Sequence, residues 1–134
     1  MFLGEYQPNI TEGSRLALPK KIREEIKGRF VVLSRGFEQC VFGYKKEDWE
    51  KEAEKYTKEP VSDKKARFLR RYMYSGAEII NLDSQGRLVL SQSLKEYAGI
   101  KDSVVVIGAG DHFEIWDFKY WKTYLAQLED DVNE

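Results

Sequence analysis

Two arginines stand behind tight polar turns in this chain, and both have the chemistry to grip an anion. Arg87 follows Asp83-Ser84-Gln85-Gly86, with Leu82 before the turn and Leu88 and Leu90 alternating after it. Arg15 follows Thr11-Glu12-Gly13-Ser14 and leads into Leu16-Ala17-Leu18. A guanidinium carries a fixed fork of donors that suits both phosphate oxygens and the major-groove edge of guanine. Lys20, Lys21 and Arg23 come soon after Arg15, so the first turn opens a run of cations. An Asp four residues before an Arg can cap the turn's amides and still face the Arg. Asp83 and Arg87 are therefore read first as a brace, with Gly86 taking the positive φ such a turn demands. Arg15 has no acid at that spacing, which leaves its donors for another partner. An Arg that merely braces its turn, beside an ordinary solvated helix, is the competing reading.

The two turns belong to a repeat. Asn9 through Leu18 aligns with Asn81 through Leu90 at an offset of 72 (81 − 9), keeping Asn, Arg and both Leu. Further on, Glu24 falls opposite Glu96, Tyr44 opposite Trp116 and Trp49 opposite Trp121. So many matches at one offset mark an internal duplication. The copies differ in their charge. Where the first has Lys20, Lys21 and Arg23, the second has Gln92, Ser93 and Lys95, so the first copy is the better candidate to read nucleic acid. The first turn also has Thr11 where the second has Asp83, and its Gly stands at 13 rather than opposite Gly86. Thr11 is expected to cap more weakly than Asp, in a turn of different geometry.

The elements that must hold these turns follow from patterning. Residues 2–8 alternate as a strand, 16–18 form a short strand, and Pro19 suits the opening of a helix over 20–27 closed by Gly28. Residues 30–33 and 40–44 read as a hairpin, and 46–56 as an amphipathic helix with Trp49, Ala53 and Tyr56 inward. Ser62 is the expected cap of a helix over 63–74 whose buried stripe is Ala66, Leu69 and Met73. The second copy repeats the scheme, with strands at 77–82, 88–90, 104–107 and 113–116 and helices at 94–98 and 119–128. The last six residues are expected to fray. Domain boundaries follow: halves at 5–47 and 77–120, a helical connection at 48–75, and a helix end with an acidic tail at 121–134.

Composition narrows the class. With 18 aromatics in 134 residues the chain is folded, and no apolar run approaches the roughly 20 residues a membrane span needs. A single Cys40 leaves no internal disulfide and makes a reducing, cytoplasmic location the expectation. The net charge of −1 argues against nucleic-acid binding unless charge is segregated, and it is. Residues 58–71 carry six cations and two acids, +4, while 111–134 carry two cations and seven acids, −5. Lys64, Arg67 and Arg71 share one helical face, which reads first as a solvated face or a surface for the acids of a neighbouring subunit, with phosphate contact as the alternative. Cys40 and His112 follow their respective hairpin turns, but no carboxylate stands at a spacing that would orient a nucleophile pair. No metal site, cofactor site or small-molecule site is expected, and no catalysis.

Five segments in order carry a family resemblance: Met1-Phe2-Leu3-Gly4-Glu5-Tyr6, Arg15 to Pro19, Arg35-Gly36-Phe37, Asp83 to Arg87 and Glu114-Ile115-Trp116. Together, across nearly the whole chain, they resemble the MraZ family of bacterial transcription regulators. The resemblance implies an α+β, mainly β fold: two AbrB-like swapped-hairpin half-domains forming a pseudo-dimer, with helices after each half. It implies a ring-shaped homo-oligomer on double-stranded DNA, at direct repeats upstream of a division and cell-wall gene cluster, and hence a nucleoid-associated protein. The DNA-binding residues it implies are Arg15, Lys20, Lys21, Arg23 and Arg87, with Thr11, Asp83 and Gly86 shaping the turns. A protein-interaction module without its own DNA site is the alternative.

Overall fold

The computed structural model describes residues 1–133. Its first half runs β1 (Glu5–Tyr6), β2 (Ile10–Thr11), β3 (Arg15–Ala17), α1 (Lys20–Ile26), β4 (Phe30–Arg35), β5 (Val41–Tyr44) and α2 (Lys46–Tyr56). A connecting helix α3 (Lys64–Ser75) follows. The second half is β6 (Glu78–Asn81), β7 (Arg87–Val89), α4 (Gln92–Ala98), β8 (Val104–Gly108), β9 (Phe113–Asp117) and α5 (Phe118–Asn133). The duplication holds in space: α1 moved by 72 residues lands on α4 (20 + 72 = 92, 26 + 72 = 98).

The halves exchange strands. The large antiparallel sheet has the order β1-β8-β9-β5-β4-β6, so β1 of the first half pairs with β8 of the second, and β6 of the second with β4 of the first. The small sheet, β2-β3-β7, crosses the halves again through β3 and β7. In that pairing Leu16 lies opposite Leu88, its own repeat mate (16 + 72 = 88). In the large sheet Phe42 lies opposite Glu114, again its mate (42 + 72 = 114). A pseudo-twofold axis therefore passes through both pairs, and the architecture is the pseudo-dimer with swapped strands.

Strand alternation sorts the core into two layers. Leu16, Leu88, Val31, Leu33, Val41, Phe113, Ile115 and Val106 close one face of the large sheet beneath the small sheet, α1 and α4. Phe42, Tyr44, Val105, Trp116 and Trp121 close the other face, where Trp49 of α2 and Tyr124 and Leu125 of α5 pack. The tryptophans are therefore core residues, with Trp116 and Trp121 buried and Trp49 half-buried against Tyr74 of α3.

Five expectations need correction. Lys27, not Gly28, closes α1, taking the left-handed conformation itself at φ 55°. Asp63, not Ser62, caps α3, because its carboxylate accepts the Ala66 amide at 2.9 Å. Leu69 is 40 % exposed, since α3 turns Ala66 and Met73 towards the protein and leaves Leu69 on its open side. The helix α4 begins two residues earlier than 94, where the Ser91 hydroxyl caps the Leu94 amide at 3.2 Å. Residues 129–133 continue α5 instead of fraying; Glu134 lies outside the described residues.

The axis is chemically lopsided where Phe42 faces Glu114. His112 stacks on Tyr44, with centroids 5.2 Å apart, and its two ring nitrogens lie 2.7 Å from Asp111 and from Glu114. Glu114 also accepts the Trp116 indole N–H at 2.9 Å. A ring with a carboxylate at each nitrogen can satisfy both only as the imidazolium, donating twice. Burial opposes that charge, yet the bonds to Glu114 and Asp111 outweigh it and hold the His112 pKa above its ordinary value. The raised folded value means the stabilisation is complete below about pH 6.5, the unfolded value, and fades as pH rises through the folded one. Melting curves should therefore show the wild type losing its advantage over His112→Gln on moving from pH 6 into the alkaline range. A constant difference in melting temperature across that range would contradict a charged His112.

Candidate nucleic-acid interface

Alternation along β3 and β7 buries Leu16 and Leu88 and sends the neighbours of each outward. Arg15 and Ala17 of β3 then share an exposed face with Arg87 and Val89 of β7, in the pairs Arg15↔Val89 and Ala17↔Arg87. The pseudo-twofold axis relates the two arginines. This face points away from the large sheet and from the layer of α2 and α5.

Each turn is stitched to the opposite strand. The Leu18 amide donates to the Gly86 carbonyl at 3.2 Å, and the mate of that bond runs from the Leu90 amide to the Ser14 carbonyl at 2.9 Å. The second turn is built as a brace. Asp83 Oδ1 accepts the amides of Gln85 and Arg87, both at 2.9 Å, while Oδ2 takes Arg87 Nε at 2.7 Å. The Arg87 amide bond is the largest influence on the Asp83 carboxyl and, with the Arg87 side chain, holds its pKa below the usual value despite partial desolvation.

The first turn lacks that brace. Thr11 donates its hydroxyl to the Arg15 carbonyl at 3.3 Å, so it accepts no turn amide as Asp83 does. Gly13 and Ser14 both adopt positive φ, 79° and 59°, and Ser14 stands opposite Gly86 at 73°. The expected difference in geometry is thus two consecutive left-handed residues instead of one. Ser tolerates this region poorly, and the neighbouring Gly13 is the residue that makes the tight reversal accessible. Arg15 has one long contact, 3.5 Å from Nη1 to the Glu12 carbonyl, and no carboxylate partner among the described residues.

The remaining cations divide. Lys20 and Lys21 open α1 with both side chains exposed; Lys20 reaches Glu24 only at 3.9 Å, a pair too solvated to hold it. Arg23 is more constrained than a free contact. Its Nε donates to the Leu18 carbonyl at 3.0 Å, and its methylene arm lies across Gly86, where any Cβ would collide with it. Its mate Lys95 reaches Ser14 Oγ at 3.0 Å. Sequence reading missed this reciprocity because the partners stand 63 and 81 residues apart; the shared offset of 23 and 95 was the available signal. Arg23 thus shapes the second turn, with Nη1 as well as its arm beside Gly86.

Cys40, by contrast, is fully buried, and burial drives its thiol pKa far up, with Glu114 and Glu38 adding to the effect. Burial thus disfavours the thiolate that nucleophilic chemistry needs. Among the described residues no three His, Cys, Asp or Glu side chains gather as a metal site, and no helix is long and apolar enough to cross a membrane.

A duplicated α+β chain with exchanged strands and a two-arginine face at its pseudo-twofold axis defines the class. The family model described as "MraZ protein, putative antitoxin-like" matches residues 1–72 and again 73–134, and the chain belongs to this family. It is 42% identical over 134 residues to "Transcriptional regulator MraZ" of Lactobacillus delbrueckii subsp. bulgaricus, covering all of this chain and 93% of that one. The Micrococcus luteus protein of the same name is 43% identical over 129 residues, 96% of this chain and 90% of its own. That of Roseiflexus castenholzii is 37% identical over 129 residues, with the same coverage.

The brace predicts a pH-dependent phenotype. A carboxyl with a lowered folded pKa stabilises above its unfolded value, about pH 3.9, and loses that contribution as pH falls through the folded one. Asp83→Ala should therefore melt earlier than the wild type at neutral pH, with the gap closing in strong acid. Equal melting temperatures at pH 7 would remove the brace from the account.

Proposed function

We propose that this chain is a transcription regulator that binds duplex DNA by sequence through the outward face of β3 and β7. The observation that carries the reading is the pair of axis-related arginines on one exposed face, Arg15 without an acid partner and Arg87 held by Asp83. Lys20 and Lys21 extend that face at the opening of α1, and Arg23, exposed beside Gly86, adds its charge. In this reading the arginines reach base edges or phosphates and the lysines phosphates, so the first half binds more strongly than the second. The names of the relatives support the regulatory role.

One chain offers few contacts, and each phosphate contact adds only modest, salt-sensitive affinity. Several copies in a closed ring, set against direct repeats upstream of a division and cell-wall gene cluster, would raise the effective concentration at every site. The working location is then the cytoplasm, at the nucleoid. An interaction module without a DNA site is the second reading; it predicts no steep dependence of duplex binding on salt.

Mobility shifts with a duplex from the chain's own promoter region discriminate. Arg15→Ala should weaken binding by about 1–3 kcal/mol per engaged copy, multiplied over an assembly into apparent loss of the complex, with the melting temperature unchanged. Arg87→Ala should weaken binding less and lower the melting temperature more, because it also dismantles the turn. The opposite ranking would reverse the roles of the two halves, and wild-type binding that is flat against salt would favour the interaction module.

A further inference from the structure

The two turns that present Arg15 and Arg87 are held by different means. The second is held from within: Gly86 takes φ 73° at no steric cost, and Asp83 accepts two amides of its own turn. In the first turn a serine occupies the place of Gly86, at φ 59°. A side chain on left-handed backbone crowds the following carbonyl, so such a residue persists only where its surroundings enforce it. Thr11 supplies little enforcement, since its hydroxyl reaches only the Arg15 carbonyl.

What holds Ser14 comes from the other half. The Leu90 amide donates to its carbonyl at 2.9 Å, and the Lys95 ammonium donates to its Oγ at 3.0 Å. Ser14 is thus gripped twice across the pseudo-twofold axis, once by main chain and once by a charged donor, the stronger kind of hydrogen bond. Lys95 is half-buried on α4, and α4 is itself fixed at both ends. Ser91 caps it while donating to Glu78 of β6 at 2.7 Å, and Gly99 closes it in the left-handed conformation. Among the described residues no carboxylate competes for the Lys95 ammonium.

The conformation of Ser14 decides where Arg15 stands. Arg15 is the next residue, and its guanidinium folds back over the turn, with Nη1 3.5 Å from the Glu12 carbonyl and 3.3 Å from where a Cβ on Gly13 would be. A rotation at Ser14 would therefore carry the guanidinium with it. The mate of Lys95 has no such task, because Arg23 lies over Gly86, which keeps positive φ unaided.

We propose that Lys95 is a positioning residue for the opposite half: its ammonium latches Ser14 in left-handed backbone and so fixes where Arg15 offers its donors. The assignment rests on the DNA-binding reading above and adds to it a residue that acts through Ser14 and not by touching DNA.

The latch is tested from both of its ends, by mobility shift on the promoter duplex and on a scrambled duplex, with amide exchange of the free proteins alongside. Lys95→Met should weaken binding to the promoter duplex about tenfold, within the range for one lost base contact, and leave the scrambled duplex nearly unaffected. Ser14→Ala removes only the acceptor and should do the same. The double variant Ser14→Ala/Lys95→Met should then be no weaker than either alone. Glycine needs no latch, so Ser14→Gly/Lys95→Met should bind as Ser14→Gly does. In the free protein Lys95→Met should quicken amide exchange in residues 12–15 and leave β8 and β9 unchanged. Equal losses on both duplexes, persisting beside Ser14→Gly, would make Lys95 a phosphate contact and overturn the proposal. Wild-type binding and exchange by Lys95→Met would overturn it as well. If the unaltered protein fails to bind the promoter duplex while Lys95→Met still quickens exchange in 12–15, the DNA-binding reading falls and the latch on Ser14 stands.

Discussion

The pairing of β3 with β7 across Leu16 and Leu88 is the interaction on which the rest of this structure depends. It joins two halves that have no separate sheets to fall back on, since β1 and β6 have each left their own half for the other. Burying the leucines inward forces Arg15 and Arg87 outward, because side chains alternate along a strand. The same geometry sets each turn beside the opposite half, where Arg23 lies over Gly86 and Lys95 meets Ser14. Core packing and the display of the arginines are consequences of one register, and a slip of one residue would bury the cations and expose the leucines.

Separation of charge into layers explains how a chain of net charge −1 can present a cationic face. The arginines and Lys20 and Lys21 stand on one side of the large sheet, and the acids of α5 on the other. What differs between the halves is restraint as well as charge count. Arg87 donates Nε to its own Asp83, whereas Arg15 keeps its fork of donors nearly intact. A pseudo-symmetric scaffold thereby carries an asymmetric reading head.

Much of this was legible in the residue pattern, for physical reasons that can be named. The duplication showed because both halves must build the same turn, short helix and hairpin, which keeps Asn, Arg and Leu at fixed spacing. The Asp83–Arg87 brace showed because its partners lie within one turn, where side-chain reach follows from spacing alone. The exchange of β1 and β6 did not follow from patterning: alternation requires a partner for each strand without saying which half supplies it, and only the family resemblance pointed to it. Ser14 at positive φ was hidden because Gly13 beside it looked sufficient for the reversal. The spacing of Leu69 from Ala66 and Met73 allows burial, and spacing cannot say that the protein covers only the other side of the helix. The acids of His112 stand one and two residues away, so the expectation that no carboxylate orients it needs correction: Asp111 and Glu114 each meet a ring nitrogen. Its stacking on Tyr44 and Phe42 comes from the other half and has no local signal.

The central claim is that the outward face of β3 and β7, flanked by the two turns, is where duplex DNA binds. Hydrogen–deuterium exchange of the protein with and without a duplex from its own promoter region tests it most directly, because amide protection maps the contact without altering a residue. The account predicts protection concentrated in residues 11–23 and 83–90, stronger in the first segment. Protection confined to α2 and α3, with both turns unchanged, would contradict it.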